Sequence, residues 1–427
     1  MSPARVGPPF VLSLDVGTTS ARAELYDRRG RAVKDVRASA PCPLETTPDG
    51  GAQMDPEALF EVTAGVLDEA CREAGARLGN GAEVAGVGMG TFWHSFLGVD
   101  AAGRPTTPLF LWADNRSRDQ MLVLRARLDE RAVHARTGCP VHWSYWPAKL
   151  LWLAETHADA VRRTRRWLSF GEYFHLRLFG QATCSYSMAS GTGLFDQNRR
   201  DWDPGVLRAV GVSTEQLSPL SDQDAAQCGL AGEYAERWPL LKDVPWFPAA
   251  GDGALSNVGS GCVTRERMAL MIGTSGALRV AWPASETEIP WGAWCYRVDG
   301  RRFVMGGALT NGGNLYAWLR DTLKLPSIAE TERRVARMEP DAHGLTVLPF
   351  LAGERAPGYA PDARAAILGM TLATRPIDVI RAGLEAIALR FALLHGIVSR
   401  VVPEAREVVA TGGALLSSPA RSQMVAD

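Results

Sequence analysis

Residues 10–27 read FVLSLDVGTTSARAELYD. Phe10 to Leu14 is an apolar run and predicts a buried strand. Val16 to Ser20 is a small-residue turn, Ala21 to Tyr26 a return strand, and Arg28-Arg29-Gly30 a turn into a third. The result is a β-meander with Asp15 at its first bend. Residues 268–282, MALMIGTSGALRVAW, repeat the plan: an apolar strand from Met268 to Ile272, a small turn at Gly273-Thr274-Ser275-Gly276, and a return from Ala277 to Trp282. Both segments carry a Gly-Thr-Ser turn and an Arg on the return strand. Such turns also occur in unrelated hairpins. Read as a repeat, the two copies predict two domains built on one plan.

Between the hairpins, Asp55 to Leu78 has helical amphipathicity and VAGVGMG (84–90) ends a strand. Residues 236–250, ERWPLLKDVPWFPAA, hold three prolines and no helical period. They place the boundary between an N-terminal domain, 1–247, and a C-terminal domain, 248–427. GDGALSNVGSG follows, with Asp252 at the head of a short helix ended by Gly259. From Pro376 to Val398, Ile380, Leu384, Ile387, Phe391 and Leu394 step by one buried helical stripe. Glu407 to Ala410 then reads as a strand, Thr411-Gly412-Gly413 as a tight loop, and Ser418-Pro419 as the N-cap and first residue of a last helix.

Composition narrows the function. The chain has 427 residues, 46% hydrophobic and 22% charged, so it can bury a core and is globular. Its 46 Lys and Arg balance 47 Asp and Glu, leaving no field for nucleic acid or an anionic membrane. The basic run Arg162 to Arg166 reads as a solvated helix face. Seven scattered cysteines without CxxC fit free thiols in a reducing compartment. Seven histidines without HxxxH or HExxH spacing argue against a built-in zinc site. The N-terminus lacks an apolar signal core and no long apolar run occurs elsewhere. These features read as a soluble, cytoplasmic protein.

No GxxxxGK[ST] loop is present, and no GxGxxG follows a strand. Phosphate oxygens could instead meet the backbone N–H groups of Gly17, Thr18 and Thr19 and the two hydroxyls, since glycine lets the backbone approach closely. Asp15 beside them suits Mg²⁺, which favours few carboxylates plus waters and phosphate oxygens. Gly273, Thr274 and Ser275 form a second such hairpin. Gly412-Gly413 would let a flat adenine or ribose approach the backbone. Asp252 reads either as a simple helix cap or as a carboxylate placed to accept a proton.

LSLDVGTTSARAELYD, TPLFLWADNRS, FPAAGDGALSNVGSG, ALMIGTSGALRV, GALTNGGNLYAWLRD, PFLAGERAPGY and VVATGGALLSSPARSQMVAD resemble, in order, the motifs of the FGGY-type carbohydrate kinases. GMGTFWHSFLGVD and LWADNRS are most similar to gluconokinases, with xylulokinases next. The resemblance implies a two-domain, actin-like, ribonuclease-H-like α/β ATPase fold with a central cleft. The sugar would lie mainly against the first domain and ATP mainly against the second. It implies ATP and Mg²⁺ as cofactors, and is compatible with a homodimer. Asp15, Thr18, Thr19 and Arg22 match the first phosphate motif, Asp15 with Asp252 holding metal. Asp252 matches the catalytic aspartate. Gly273 and Thr274 match the second phosphate motif, Gly313 lines the nucleotide cleft, and Gly413 and Ser417 hold adenosine. Trp93 and His94 fall at sugar contacts.

The sugar end leaves alternatives open. His94 could hydrogen-bond a sugar hydroxyl or be a satisfied core histidine. Lys149, among aromatic neighbours, could pair with a sugar-acid carboxylate or snorkel at the surface. Arg116 could orient this wall or pair with Asp114 or Asp119. Trp143, Tyr145 and Trp146 could stack on a sugar or pack a helix, and Glu354 with Arg355 reads as a structural ion pair. Three functions compete: a gluconate kinase; a kinase of the same fold for xylulose, ribulose or glycerol; and a catalytically weak sugar- or nucleotide-binding protein. The last is suggested by the ending at Asp427, where the family normally continues. By that comparison the second domain is truncated. Met424 and Val425 are expected to lack cover, and the chain to fray from Ser417.

Overall fold

The computed structural model describes residues 7–79 and 82–427. The chain divides into two compact units. The first holds the N-terminal residues to Ser256 together with Tyr296–Arg302, and the second holds Asn257–Cys295 and Phe303–Asp427. The expected boundary at 247/248 therefore falls short. Ala250–Gly251 still belongs to the first unit because it pairs in parallel with Gly90 and Thr91 of the strand Val84–Thr91. A proline-rich stretch marks a loop; the hydrogen-bonded strand after it decides to which core the chain returns.

The first unit is built on a five-stranded sheet in the order Ala250–Gly251, Val84–Thr91, Phe10–Val16, Ser20–Asp27, Ala32–Pro41. The last three form the expected meander. Leu12, Leu14 and Val16 point into the core while Val11, Ser13 and Asp15 face the other way. Helix Pro56–Leu78 packs on the return strands. Asp55 caps it by accepting the Ala58 N–H, and Pro56 sits where no helical N–H is needed.

The second unit repeats the plan. Arg267–Ile272 pairs antiparallel with Gly276–Pro283 and parallel with Glu407–Thr411, as Phe10–Val16 pairs with Ser20–Asp27 and Val84–Thr91. Its sheet order is Trp294–Arg297, Arg302–Leu309, Gly276–Pro283, Arg267–Ile272, Glu407–Thr411. Helix Pro376–Val398 buries the predicted stripe, from Ile380 at 0% exposure to Leu384 at 6%. Phe391 explains Gly276 at the foot of the turn: a Cβ there would lie 2.5 Å from the ring tip.

The chain end differs from expectation. Helix Pro419–Ala426 is capped by Ser418, which accepts the Arg421 N–H at 3.2 Å and donates to Glu332 at 2.9 Å. Arg421 is buried, donates to the Ala414 carbonyl and lies over the Tyr316 ring. Met424 and Val425 pack on the second core, so neighbouring helices supply the cover the sequence did not reveal. The basic run splits between helix Ala158–Arg163 and strand Arg166–Leu168 instead of forming one face. All seven cysteines are free. No helix among the described residues is long and apolar enough to cross a membrane.

Candidate active site

In the first unit, the meander turn closes through the Gly17 N–H, which donates to the Ser20 carbonyl at 2.9 Å. Cys42 braces it from the third strand: its N–H donates to Thr19 O at 3.0 Å and its thiol to Gly17 O at 3.3 Å. Burial pushes that thiol up to about 11, with the nearby Asp15 charge adding to the shift. Thr18 is half-buried and Thr19 exposed. Both hydroxyls therefore stand at the turn with no protein partner among the described residues, as a phosphate cradle requires.

Asp15 lies opposite Arg22 in the antiparallel register. The same sheet face carries Ser13, Glu24 and Tyr26, because alternate residues share a side. With Gly90 and the helix residues Asp252, Leu255 and Ser256, these groups line one pocket of about 440 Å³. Burial raises the Asp15 carboxyl above its ordinary range, and Arg22 opposes the shift. Asp252 opens helix Asp252–Gly259 and its Oδ1 accepts the Gly253 N–H at 2.7 Å. Gly90 keeps strand and helix close, since a Cβ there would meet Leu255 at 2.7 Å. Glu24 and Tyr26 are additions that strand alternation could have supplied. Tyr26 donates to Glu24 at 2.6 Å, and that bond is the main reason its phenol is raised to about 12.

Among the described residues no three His, Cys, Asp or Glu cluster as a metal cage. Two carboxylates in a pocket beside a phosphate-type turn nevertheless fit Mg²⁺, which takes hard oxygen donors and keeps waters and phosphate oxygens in its shell.

The wall beyond Asp252 is aromatic. Trp93 donates its indole N–H to the Ser187 carbonyl at 2.8 Å, leaving its ring as the surface it can offer. The indole is wedged between two glycines: a Cβ at Gly251 would fall 1.9 Å from it, and one at Gly191 2.6 Å. His94 has a left-handed backbone, φ 69°, uncommon for a residue with a Cβ. Its Nδ1 bonds the Gly191 carbonyl, an acceptor only, so Nδ1 carries the proton. Tyr145 packs edge-on against His94 at 4.7 Å and shares a 2.6 Å hydrogen bond with the Tyr296 hydroxyl. Tyr296 was invisible to sequence reasoning because it lies far along the chain, in what reads as second-domain strand.

Other candidates are structural. Lys149 is neither anchor nor snorkel: it is 1% exposed and its Nζ donates to the carbonyls of Leu111 at 2.6 Å and Ser144 at 3.0 Å. Burial pushes its ammonium down to about 7. Lys149→Met is therefore expected to cost about 1–3 kcal/mol through two orphaned buried carbonyls, with equal effect on acidic and neutral sugars. The folded chain holds this proton less tightly than the unfolded one. The Lys149 penalty is thus full below about pH 7 and fades as pH rises towards 10.5. Urea unfolding across that window should show a rise in wild-type stability that flattens in the variant.

Arg116 takes the Asp114 alternative and also donates to Gln53. Trp146 stacks on Phe96 in the core, 1% exposed. Glu354 does form an ion pair, with Arg390 of the long helix.

In the second unit, the Gly273 N–H donates to the Ser275 carbonyl at 2.9 Å, one residue tighter than the first turn. The helix Gly313–Thr322 starts on this turn: Gly313 N–H donates to Gly273 O at 2.8 Å and Asn314 N–H to Thr274 O at 3.1 Å. Gly313 is glycine because a Cβ would lie 2.6 Å from the Gly273 oxygen. Its place is therefore a backbone contact that supports the turn. Gly412, at φ 96°, packs against Ile272 in the same way, whereas nothing lies near a Cβ at Gly413. Thr274, Gly413 and Ser417 are exposed. In the second unit Gly273 and Gly313 thus touch through their backbones and the Ser417 N–H donates to Gly413 O, with Thr274 on the same turn as Gly273. In the first, Asp15, Arg22 and Asp252 share a pocket, Thr18 and Thr19 follow Asp15 on its turn, and Trp93 with His94 stands beside Gly251 and Gly191.

Known proteins share the sequence pattern and the fold. Residues 10–259 match the N-terminal domain, and residues 268–427 the C-terminal domain, of the FGGY family of carbohydrate kinases. A gluconokinase of Bacillus subtilis is 29% identical over 390 residues, covering 88% of this chain and 74% of that protein. The structure of a gluconate kinase from Lactobacillus acidophilus matches with a TM-score of 0.88 at 27% identity, over 98% of this chain and 83% of that one. A ligand-bound xylulose kinase from the same organism matches with a TM-score of 0.87 at 27% identity, over 98% and 84%. The two-domain architecture is thus the actin-like ATPase plan. With both domains of the family matched along nearly its whole length, the chain belongs to the FGGY family of carbohydrate kinases.

Proposed function

We propose that this sugar kinase transfers the γ-phosphoryl group of ATP to a hydroxyl of gluconate, giving 6-phosphogluconate and ADP. The observation that carries the reading is that Asp15 and Asp252, distant in sequence, line one pocket beside a turn with two unpartnered threonine hydroxyls. The gluconokinase relative supports the choice of sugar acid.

Phosphoryl transfer passes through a loose transition state, so positioning and charge stabilisation do most of the work. Asp252 would accept the substrate hydroxyl proton, its carboxylate held in place by the Gly253 N–H. Gly17, Thr18 and Thr19 would orient phosphate oxygens, with Arg22 adding charge. Gly273 and Thr274 would serve the nucleotide phosphates, and Gly413 and Ser417 its adenosine, with Gly313 supporting the second turn. Asp15 and Asp252 would hold Mg²⁺, which supplies Lewis-acid charge neutralisation at the phosphates. His94 would bond a sugar hydroxyl while Trp93 offers a flat wall. Asp15→Asn should raise the Mg²⁺ concentration for half-maximal rate about tenfold or more, one lost charged ligand being worth roughly 1.5–3 kcal/mol; a titration of rate against Mg²⁺ reads this.

A neutral pentulose such as xylulose is the second reading. It is favoured by the burial of Lys149, which removes the cation once placed to meet a sugar carboxylate. A panel of gluconate, xylulose, ribulose and glycerol with Mg-ATP and coupled ADP detection separates the two. Gluconate turnover far above the others supports the first; no turnover of any member sinks both.

A further inference from the structure

We propose that Tyr296 is a positioning residue for the sugar: its hydroxyl fixes Tyr145, and its ring braces Trp93 and His94. The inference rests on the sugar-kinase reading above and assigns a specificity role to a residue outside the sequence motifs. Tyr296 opens the arm Tyr296–Arg302, which belongs to the first unit although the strands on either side continue into the second. Its ring lies 4.8 Å from Trp93 and 5.6 Å from His94, both near edge-on. Its hydroxyl meets that of Tyr145 at 2.6 Å, and both side chains are buried, at 1% and 3% exposure.

A buried phenol must keep a partner, and two phenols that bond each other fix each other's rings. Tyr145 in turn packs on His94. Losing the Tyr296 hydroxyl would free Tyr145, and through it the imidazole face turned to the substrate.

The arm is itself held firmly. Arg297, fully buried, donates its backbone N–H to the Ser190 hydroxyl oxygen at 3.0 Å, Nε to the Gln197 carbonyl at 2.7 Å and Nη1 to Gly300 O at 3.1 Å. Ser190 precedes Gly191, whose carbonyl fixes His94. One short segment thus anchors both the histidine and the arm that braces it. The left-handed backbone of His94 needs such over-determination, since strained residues persist only where their surroundings enforce them.

The test is steady-state kinetics of Tyr296→Phe, Tyr145→Phe and the double variant, on the sugar the wild type phosphorylates best. Each single variant should raise the sugar KM about fivefold to tenfold, the scale of one lost hydrogen bond. The ATP KM and kcat should move little. The double variant should be no worse than either single, because one shared bond is lost in all three. An unchanged sugar KM in Tyr296→Phe overturns the proposal. So does a fall in Tm with equal losses for sugar and ATP, which marks mere packing. A wild type that phosphorylates no sugar fails at the earlier step, overturning the kinase reading and this inference with it.

Discussion

Asp252→Asn should lower kcat by about 10²–10⁴-fold, the usual cost of losing a general base, with sugar affinity nearly unchanged. Asparagine keeps the shape and can still accept the Gly253 N–H that Oδ1 accepts now. It cannot take a proton from the substrate hydroxyl, and it brings no charge to the pocket shared with Asp15 and Arg22. Calorimetric titration of sugar without nucleotide, beside turnover measurements, separates binding from chemistry. Wild-type turnover in the variant would place the base on another residue.

Gly251→Ala should be nearly as damaging for a different reason. Its Cβ would sit 1.9 Å from the Trp93 indole, which cannot retreat towards Gly191 and is tethered to the Ser187 carbonyl. Overpacking of this kind costs about 1–3 kcal/mol, and a displacement near 1 Å at a reacting centre can cost about 10²-fold in rate. Because Gly251 directly precedes Asp252, a shift at the indole reaches the carboxylate without an intervening residue. Urea unfolding combined with kcat/KM for the sugar tests this; normal values for both would show that the wall is soft.

What the sequence disclosed follows range of interaction. The two hairpins, the Asp252 helix and the stripe of the long helix are local patterns, set by alternation, turn residues and helical period. All were legible. The two small-residue turns were legible too, because such a turn after a buried strand advertises itself. Burial set by distant segments was not. Lys149 looks like a surface lysine until the carbonyls of Leu111 and Ser144 enclose it. Glu354 finds Arg390 on the long helix, although Arg355 is its chain neighbour. Tyr296 joins Trp93 and His94 only because an arm returns to the first unit. The chain end looked uncovered because nothing in its own residues shows that Glu332 will cap its helix.

The indole between two glycines bears on how the substrate range of this chain can drift. At positions 191 and 251 every other amino acid adds a Cβ against Trp93, so neither tolerates gradual change. On the other side, Tyr296 lies edge-on to the indole and shares a hydroxyl bond with Tyr145, and each tyrosine can be exchanged for a residue of similar bulk without unseating the tryptophan. Selection for a new sugar would therefore find its first steps on the tyrosine side, with the glycine side a fixed datum against which each new wall is measured.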